Sequence, residues 1–291
     1  VNRKVEQTKE KRSGIMKKHI SLVLAFVLLA LCLTGCATQS ANSSSEEDTL
    51  SQVMSSGKLV AAFEIGDEPW GYTDPATGNY TGFAVELISG FAASIGVAVE
   101  WMPLEFSELI PAVQTGKANI ISSNISRTAA RSATVLFTDA VGYASCVAVV
   151  LSDSPYTNVD QLNDASVTIT APAGSIYEDM AYERFPNATV SALSSTSDAI
   201  AALKAGRADV YLTDTNQAYM LMKGDSSVTY LPQYLDTDTV AFALDLDMKS
   251  YTLRDAFNTY LKVCKLNGTY NELYNKYFDC DWVPLMDEYG A

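Results

Sequence analysis

Two arginines four residues apart, Arg127 and Arg131, follow a run of small hydroxyl and amide side chains that includes Ser122, Ser123, Asn124 and Ser126. The chain that carries them has a formal net charge of −14. A guanidinium can hold a carboxylate through two parallel charge-assisted hydrogen bonds, with hydroxyls and backbone N–H groups completing the shell. Each bond to a charged group contributes about 1.5–3 kcal/mol net. Several of them suffice for micromolar binding, which corresponds to about −8 kcal/mol. Spacing alone does not choose between Arg127 and Arg131. Two surface arginines on a short helix started by Ser126 or Thr128 would show the same pattern. Elsewhere Glu64 ends the apolar run "KLVAAFE" and Asp214 ends "DVYLTD". A cation with hydroxyls on one segment and an anion on another suit the two ends of a small zwitterion.

The residues that are absent narrow the chemistry further. The single histidine, His19, lies near the beginning of the chain. Everything after it therefore lacks the base of a Ser-His-Asp or Cys-His site and any histidine ligand for a metal. Cys146, Cys264 and Cys280 show no metal-type clustering. Cys146, inside "YASCVAVVL", reads as a small buried hydrophobe. Cys264 and Cys280 are the pair expected if an exported chain forms a disulfide. No cofactor, no metal and no enzymatic activity are expected.

The elements that must position these groups repeat. "AVQTGKANIISSN" (112–124) matches "ALKAGRADVYLTD" (202–214). Each reads as a helix end, a glycine able to take the left-handed conformation, and a strand with a polar end. Ahead of the first copy lie a predicted strand "KLVAAFE", helix "FAVELISGFAASI", strand "VAVEW" and helix "SELIPAVQTG". Phe83, Leu87, Phe91 and Ile95 recur at four-residue spacing, which gives the first helix one apolar face. Ser107 is expected to cap the second helix, with Pro111 in its first turn. Ahead of the second copy lie strand "SVTITAP", helix "IYEDMAYERF", strand "ATVSAL" and helix "STSDAIAALKAG". Alternation of this kind predicts an α/β fold with mainly parallel sheets covered by helices on both faces. From Thr49 about 240 residues remain, enough for two modest lobes. Ligands bind off the carboxyl ends of such strands. Those ends carry Glu64 and Ser122-Ser123-Asn124 in the first half, and Ala173-Gly174-Ser175 and Thr213-Asp214 in the second.

Residues 1–48 are expected to lie outside this fold. Met16-Lys17-Lys18-His19 is basic, and Ile20 to Leu33 is almost wholly apolar. About fourteen residues is too short to span a bilayer, and the order of features is that of an export signal. Residues 1–15 read as extra leader or as preceding a start at Met16. Leu33-Thr34-Gly35-Cys36 resembles the bacterial lipobox, which implies a lipid anchor, including palmitate, on Cys36. Residues 1–35 are then the leader, and "ATQSANSSSEED" makes residues 36–48 a flexible tether. The expected location is the extracellular face of the cell membrane, or the periplasm in a Gram-negative cell, held by lipid rather than by a transmembrane helix. Residues 1–35 hold seven basic and two acidic residues, so the remainder carries −19 against −14 for the whole chain. That argues against nucleic acid or an anionic surface as partner.

Several motifs in fixed order carry a family resemblance: "DEPWGYTDPATGNYTGFAVEL" (67–87), "FSELIPAVQTGKANII" (106–121), "TAARSATVLFTDA" (128–140), "LKAGRADVYLTD" (203–214) and "LNGTYNELYNKYF" (266–278). Over about residues 58–279 the chain resembles the polar amino-acid solute-binding proteins of ABC importers, extracellular solute-binding family 3. Their fold is shared with the ligand cores of ionotropic glutamate receptors. The resemblance implies a two-lobe, type II periplasmic-binding-protein-like fold. Residues 49–144 and 241–291 would form lobe one and 145–240 lobe two, with crossings near Tyr143–Val149 and Thr239–Leu244. It selects Arg131 over Arg127 as the carboxylate ligand, because the family's arginine follows a threonine by three and precedes Phe-Ser/Thr-Asp by six. It maps hydroxyl and backbone ligands to Asn124 and Ser126, the ammonium-binding acid to Asp214, a further hydroxyl and N–H to Ser175 and Ile176, and an apolar wall to Phe106. Trp70 maps to wall or core. Glu64 maps to an acid that meets the ligand's side chain, which favours a polar or cationic amino acid. Asp67 and Glu68 follow closely and point the same way, although solvated surface acids would show the same pattern. The sequence departs from the family at Ala84 and Ala130, where acids are usual.

The resemblance further implies a monomer that closes around its ligand and meets an ABC permease. Two alternatives share the fold: a dehydratase acting on cyclic acids, with Glu64 as general acid, and a ligand-sensing lobe without transport.

Overall fold

The computed structural model describes residues 47–280. The expected leader, Cys36 and most of the expected tether lie outside the described residues. The elements of the first half are α1 (Thr49–Ser56), β1 (Lys58–Glu64), β2 (Tyr72–Thr73), β3 (Tyr80–Thr81), α2 (Phe83–Ser94), β4 (Ala98–Leu104), α3 (Leu109–Gln114), β5 (Ile120–Ile121) and α4 (Ala129–Ser132). A long strand, β6 (Val135–Leu151), leads to β7 (Thr168–Pro172), α5 (Ile176–Arg184), β8 (Thr189–Leu193), α6 (Thr196–Lys204), β9 (Val210–Asp214), α7 (Thr215–Gly224) and β10 (Val228–Tyr230). The chain returns through β11 (Asp236–Asp245) to α8 (Tyr251–Asn267) and α9 (Thr269–Phe278).

The main sheet has the order β4-β1-β5-β11-β6-β9-β7-β8, with β10 also on β6. Strands β4, β1 and β5 are parallel, as are β8, β7 and β9. The antiparallel pair β6/β11 joins the two groups. Each group has its own core. In lobe one, α2 buries Phe83, Leu87 and Phe91, as their spacing predicts, against Phe257 and Leu261 of α8 and Tyr270, Tyr274 and Phe278 of α9. In lobe two, Val210 and Leu212 of β9 and Ile169 of β7 pack with Ala181 of α5.

The internal repeat is a geometric repeat. Gly116 and Gly206 adopt φ of +69° and +66°, with open space where a Cβ would stand, so the backbone conformation itself calls for glycine. Lys117 N–H and Arg207 N–H donate to the carbonyls of Ala112 and Ala202, both at 2.9 Å. Asn119 and Asp209 then clamp the neighbouring strand in the same way. Their N–H groups donate to Val60 O and Thr168 O at 2.8 Å. Their side-chain oxygens accept from Val60 N and Thr168 N at 2.8 Å.

Three local expectations are corrected. Ser107 is not a cap: it lies exposed inside the turn Phe106–Glu108, and Glu105 forms a capping box with Glu108 instead. The longer Glu105 side chain reaches the N–H three residues on, and Glu108 returns the bond to Glu105 N at 3.2 Å. The Cys264–Cys280 pair is not formed: Cys264 is a buried thiol in the lobe-one core, on the apolar stripe of α8. Trp70 is core rather than cleft wall. It is fully buried, edge-on to Phe83 at 5.4 Å and to Phe278 at 5.3 Å. The tight turn in which Trp70 N and Gly71 N both donate to Asp67 O, at 2.7 and 2.8 Å, sends the indole into that aromatic cluster.

Candidate functional site

One cavity lies where the carboxyl ends of the strands of the two lobes meet. It encloses about 310 Å³ of empty space, its mouth included, and is lined by Glu64, Asp67, Phe106, Asn124, Ser126 and Arg131 from lobe one and Pro172, Ser175, Ile176, Tyr177, Thr196, Asp214 and Gln217 from lobe two. Of the residues expected from sequence, Glu64, Phe106, Asn124, Ser126, Arg131, Ser175, Ile176 and Asp214 are brought together here; Trp70 is not.

Arg131 stands on α4, whose first turn is capped by Thr128: Arg131 N donates to Thr128 Oγ1 at 3.1 Å. Its guanidinium donates to Ser126 O at 3.0 Å and, across the cleft, to Gly174 O at 2.9 Å. The Phe106 ring lies 5.7 Å from the guanidinium carbon. Burial pulls the Arg131 pKa below the usual range, opposed by Tyr177, Asp179 and Asp238. Arg127 is exposed and takes no part in lining this cavity. Ser175 is buried and caps α5, accepting from Glu178 N at 3.2 Å, so its hydroxyl is held at the rim.

Asp214 ends β9 and caps α7. Its Oδ1 accepts from Asn216 N at 2.8 Å and Gln217 N at 3.0 Å. Its Oδ2 faces lobe one and accepts from Asn124 Nδ2 at 2.8 Å. Burial raises the Asp214 pKa, and these hydrogen bonds oppose the rise. Glu64 ends β1 and meets the first N–H of α6: Thr196 N donates to Glu64 Oε1 at 3.0 Å. A carboxylate there complements an orphan donor of the helix N-terminus. Burial nevertheless pushes Glu64 up to about 7.

From sequence, Asp67 reads as supporting a polar or cationic preference or as a solvated surface acid, and not as a residue of the site. It is 2 % exposed rather than solvated, whereas neighbouring Glu68 is exposed. Gln217 Nε2 donates to Asp67 Oδ1 at 2.9 Å. Thr196, Tyr177 and Gln217 were missed as well. No local signal marks them, since each acts through a partner in the other lobe or from the start of a helix. The lobes touch closely here: a Cβ on Gly66, at φ +83°, would stand 2.5 Å from Ser197 Oγ.

The cavity thus combines one guanidinium, several carboxylates, hydroxyls and helix N-termini between two lobes. Residues 59–280 match the family model of bacterial extracellular solute-binding proteins, family 3, and the chain belongs to that family. It is 30% identical over 274 residues to the probable amino-acid-binding protein YxeM of Bacillus subtilis, covering 91% of this chain and 97% of that protein. It is 26% identical over 275 residues to the ABC transporter glutamine-binding protein GlnH of Bacillus subtilis, covering 91% and 99%. Among solved structures, the ancestral amino acid-binding protein AncCDT-1, a precursor of cyclohexadienyl dehydratase, superposes with a TM-score of 0.74 at 30% identity, covering 79% of this chain and 99% of that one.

Proposed function

We propose that this protein captures a free α-amino acid with a polar or cationic side chain outside the cytoplasm and delivers it to an ABC permease. The observation that carries this reading is that Arg131 from lobe one and Asp214 from lobe two line the same cavity. Arg131 binds the α-carboxylate, with the Ser126 segment, Ser175 and the N–H of Ile176 at hand. Asp214 Oδ2, already turned toward Asn124, accepts from the α-ammonium group. Asn124 holds that oxygen when no ligand does.

Closure occurs at the pair β6/β11. Its register slips between Val240 and Ala241, opposite Gly142 and Ala140, and such irregularity loosens a ladder locally. The lobes 49–144 with 241–291 and 145–240 rotate about this point. The closed face then meets the permease, and a lipid on Cys36 keeps the monomeric protein near it. Binding without turnover is the activity proposed.

The test is a thermal-shift panel of the twenty amino acids with ornithine and cystine. A ligand at 100 times its Kd adds about 2.7 kcal/mol. Arg131→Ala removes the shift while the ligand-free protein stays folded; a retained shift rejects the assignment. One observation favours a second reading: the likeness to a dehydratase precursor. Glu64 would be the proton donor. Loss of water from a cyclic, prephenate-like acid incubated with purified protein would establish it in place of simple binding.

A further inference from the structure

The described cavity holds more negative charge than a zwitterion uses. Its charged lining is Glu64, Asp67 and Asp214 against Arg131. On the amino-acid reading above, on which this inference rests, Arg131 and Asp214 serve the two backbone charges. Glu64 and Asp67 are left over, both 2 % exposed and both from lobe one.

Asp67 is the less satisfied of the two. Its Oδ1 accepts from Gln217 Nε2 at 2.9 Å, and its Oδ2 is buried without a hydrogen-bond partner. The orientation of Gln217 is fixed: its Oε1 accepts from Thr213 Oγ1 at 2.6 Å and from the Tyr211 hydroxyl, so its NH₂ must face Asp67. Neither form of the carboxyl is content with this. An ionised Oδ2 wants a donor, and a protonated one needs an acceptor for its O–H. Burial disfavours the ionised form of Asp67, and the nearby Glu64 and Asp214 carboxyls add to this. A cation placed beside Glu64 and Asp67 relieves all of these strains together. Gln217 supplies the positioning: it reads Asp67 only when the lobes are together, so it couples this acid to closure.

We infer that Asp67, paired with Glu64, is a specificity-determining residue that receives a positively charged ligand side chain, and that the ligand is a dibasic amino acid. A guanidinium or ammonium group at the far end of the side chain would donate to Asp67 Oδ2. A neutral side chain of the same shape would leave both buried acids of lobe one without a counter-charge.

The experiment is isothermal titration of the purified protein with L-arginine, L-lysine and L-ornithine, and with the neutral analogues L-citrulline and L-glutamine. At least one dibasic ligand should bind about 100-fold more tightly than citrulline, the scale expected when a buried charge loses its partner. Asp67→Asn, checked for folding by thermal melting, should cut that ratio to about 10-fold or less by weakening the dibasic ligand while citrulline is held within about 3-fold. Equal or tighter binding of citrulline or glutamine by the unaltered protein overturns the inference, as does an equal loss for both ligand classes in Asp67→Asn. Should that variant not fold, the arginine-to-citrulline ratio of the unaltered protein decides. Binding of neutral amino acids alone sinks this inference and leaves the amino-acid site standing. Binding of no amino acid at all sinks the site reading itself.

Discussion

Segments 112–124 of lobe one and 202–214 of lobe two share a left-handed glycine, the same backbone turn and the same side-chain clamp on a neighbouring strand. They differ in the connection that leaves the strand. In lobe two the strand runs straight into α7, so Asp214 must spend one oxygen on Asn216 N and Gln217 N. In lobe one no helix begins at Asn124; the chain continues to Thr128 before α4 starts and carries Arg131. The equivalent positions, Asn124 and Asp214, meet across the cleft at 2.8 Å. One scaffold thus presents an acid at a helix N-terminus on one side and a cation a few residues beyond the strand on the other. Opposite charge at the two jaws comes from the connection after the strand, not from the strand.

The comparison breaks most severely if the charges are removed. Asp214→Asn should weaken amino-acid binding by about 100-fold or more, since truncating one side of a buried charged hydrogen bond costs about 2–5 kcal/mol; titration calorimetry reads it. The exchange Asn124→Asp with Asp214→Asn keeps the charge and moves it to lobe one. It should not rescue binding, because the amide at 214 leaves the opposing lobe without its acid; recovery to within about 3-fold of the original affinity would contradict the stated asymmetry.

Acidity at the lobe-one strand end gives a pH signature. Burial raises Glu64 from its ordinary value of 4.5 to about 7. If the proposed hinge motion exposes Glu64 on opening, the closed form binds more protons than the open one. Glu64 imposes no penalty on ligand-free closure below about pH 4.5, and the penalty grows as pH rises through 7. On the scale of about 1.4 kcal/mol per pKa unit, this amounts to roughly 3 kcal/mol. Small-angle scattering of the ligand-free protein should show the radius of gyration increasing from pH 5 to 8, and Glu64→Gln should flatten that curve.

Smaller effects sharpen the equivalence of the two turns. Asn119→Ala and Asp209→Ala each strip an acceptor from a strand N–H and should each cost about 1–3 kcal/mol. Gly116→Ala and Gly206→Ala should each cost about 1 kcal/mol, because only backbone strain changes there. Thermal melts that differ widely within either pair would show that the turns are not equivalent.

Much of this was legible from the chain itself. The repeat, the strand ends and the apolar face of α2 depend on local periodicity, and local periodicity survives folding. Arg131 could be separated from Arg127 only by family spacing, since both precede the same apolar run. Asp67 could not be told from a surface acid because its hydrogen-bond partner is Gln217, 150 positions away and in the other lobe. Trp70 was ambiguous because the turn from Asp67 to Gly71 decides whether the indole enters the aromatic core or the cleft. Ser107 lost its expected cap to Glu105, whose longer side chain makes the same bond from two residues earlier.

The grip on both ends of a zwitterion is tested most directly by titrating the tightest amino-acid ligand alongside its N-acetyl and its carboxamide derivatives. The N-acetyl form removes the charge facing Asp214, and the carboxamide removes the charge facing Arg131. Each should lose about 100-fold or more in affinity. A derivative that binds as tightly as the free amino acid would mean that the corresponding jaw holds no ligand charge.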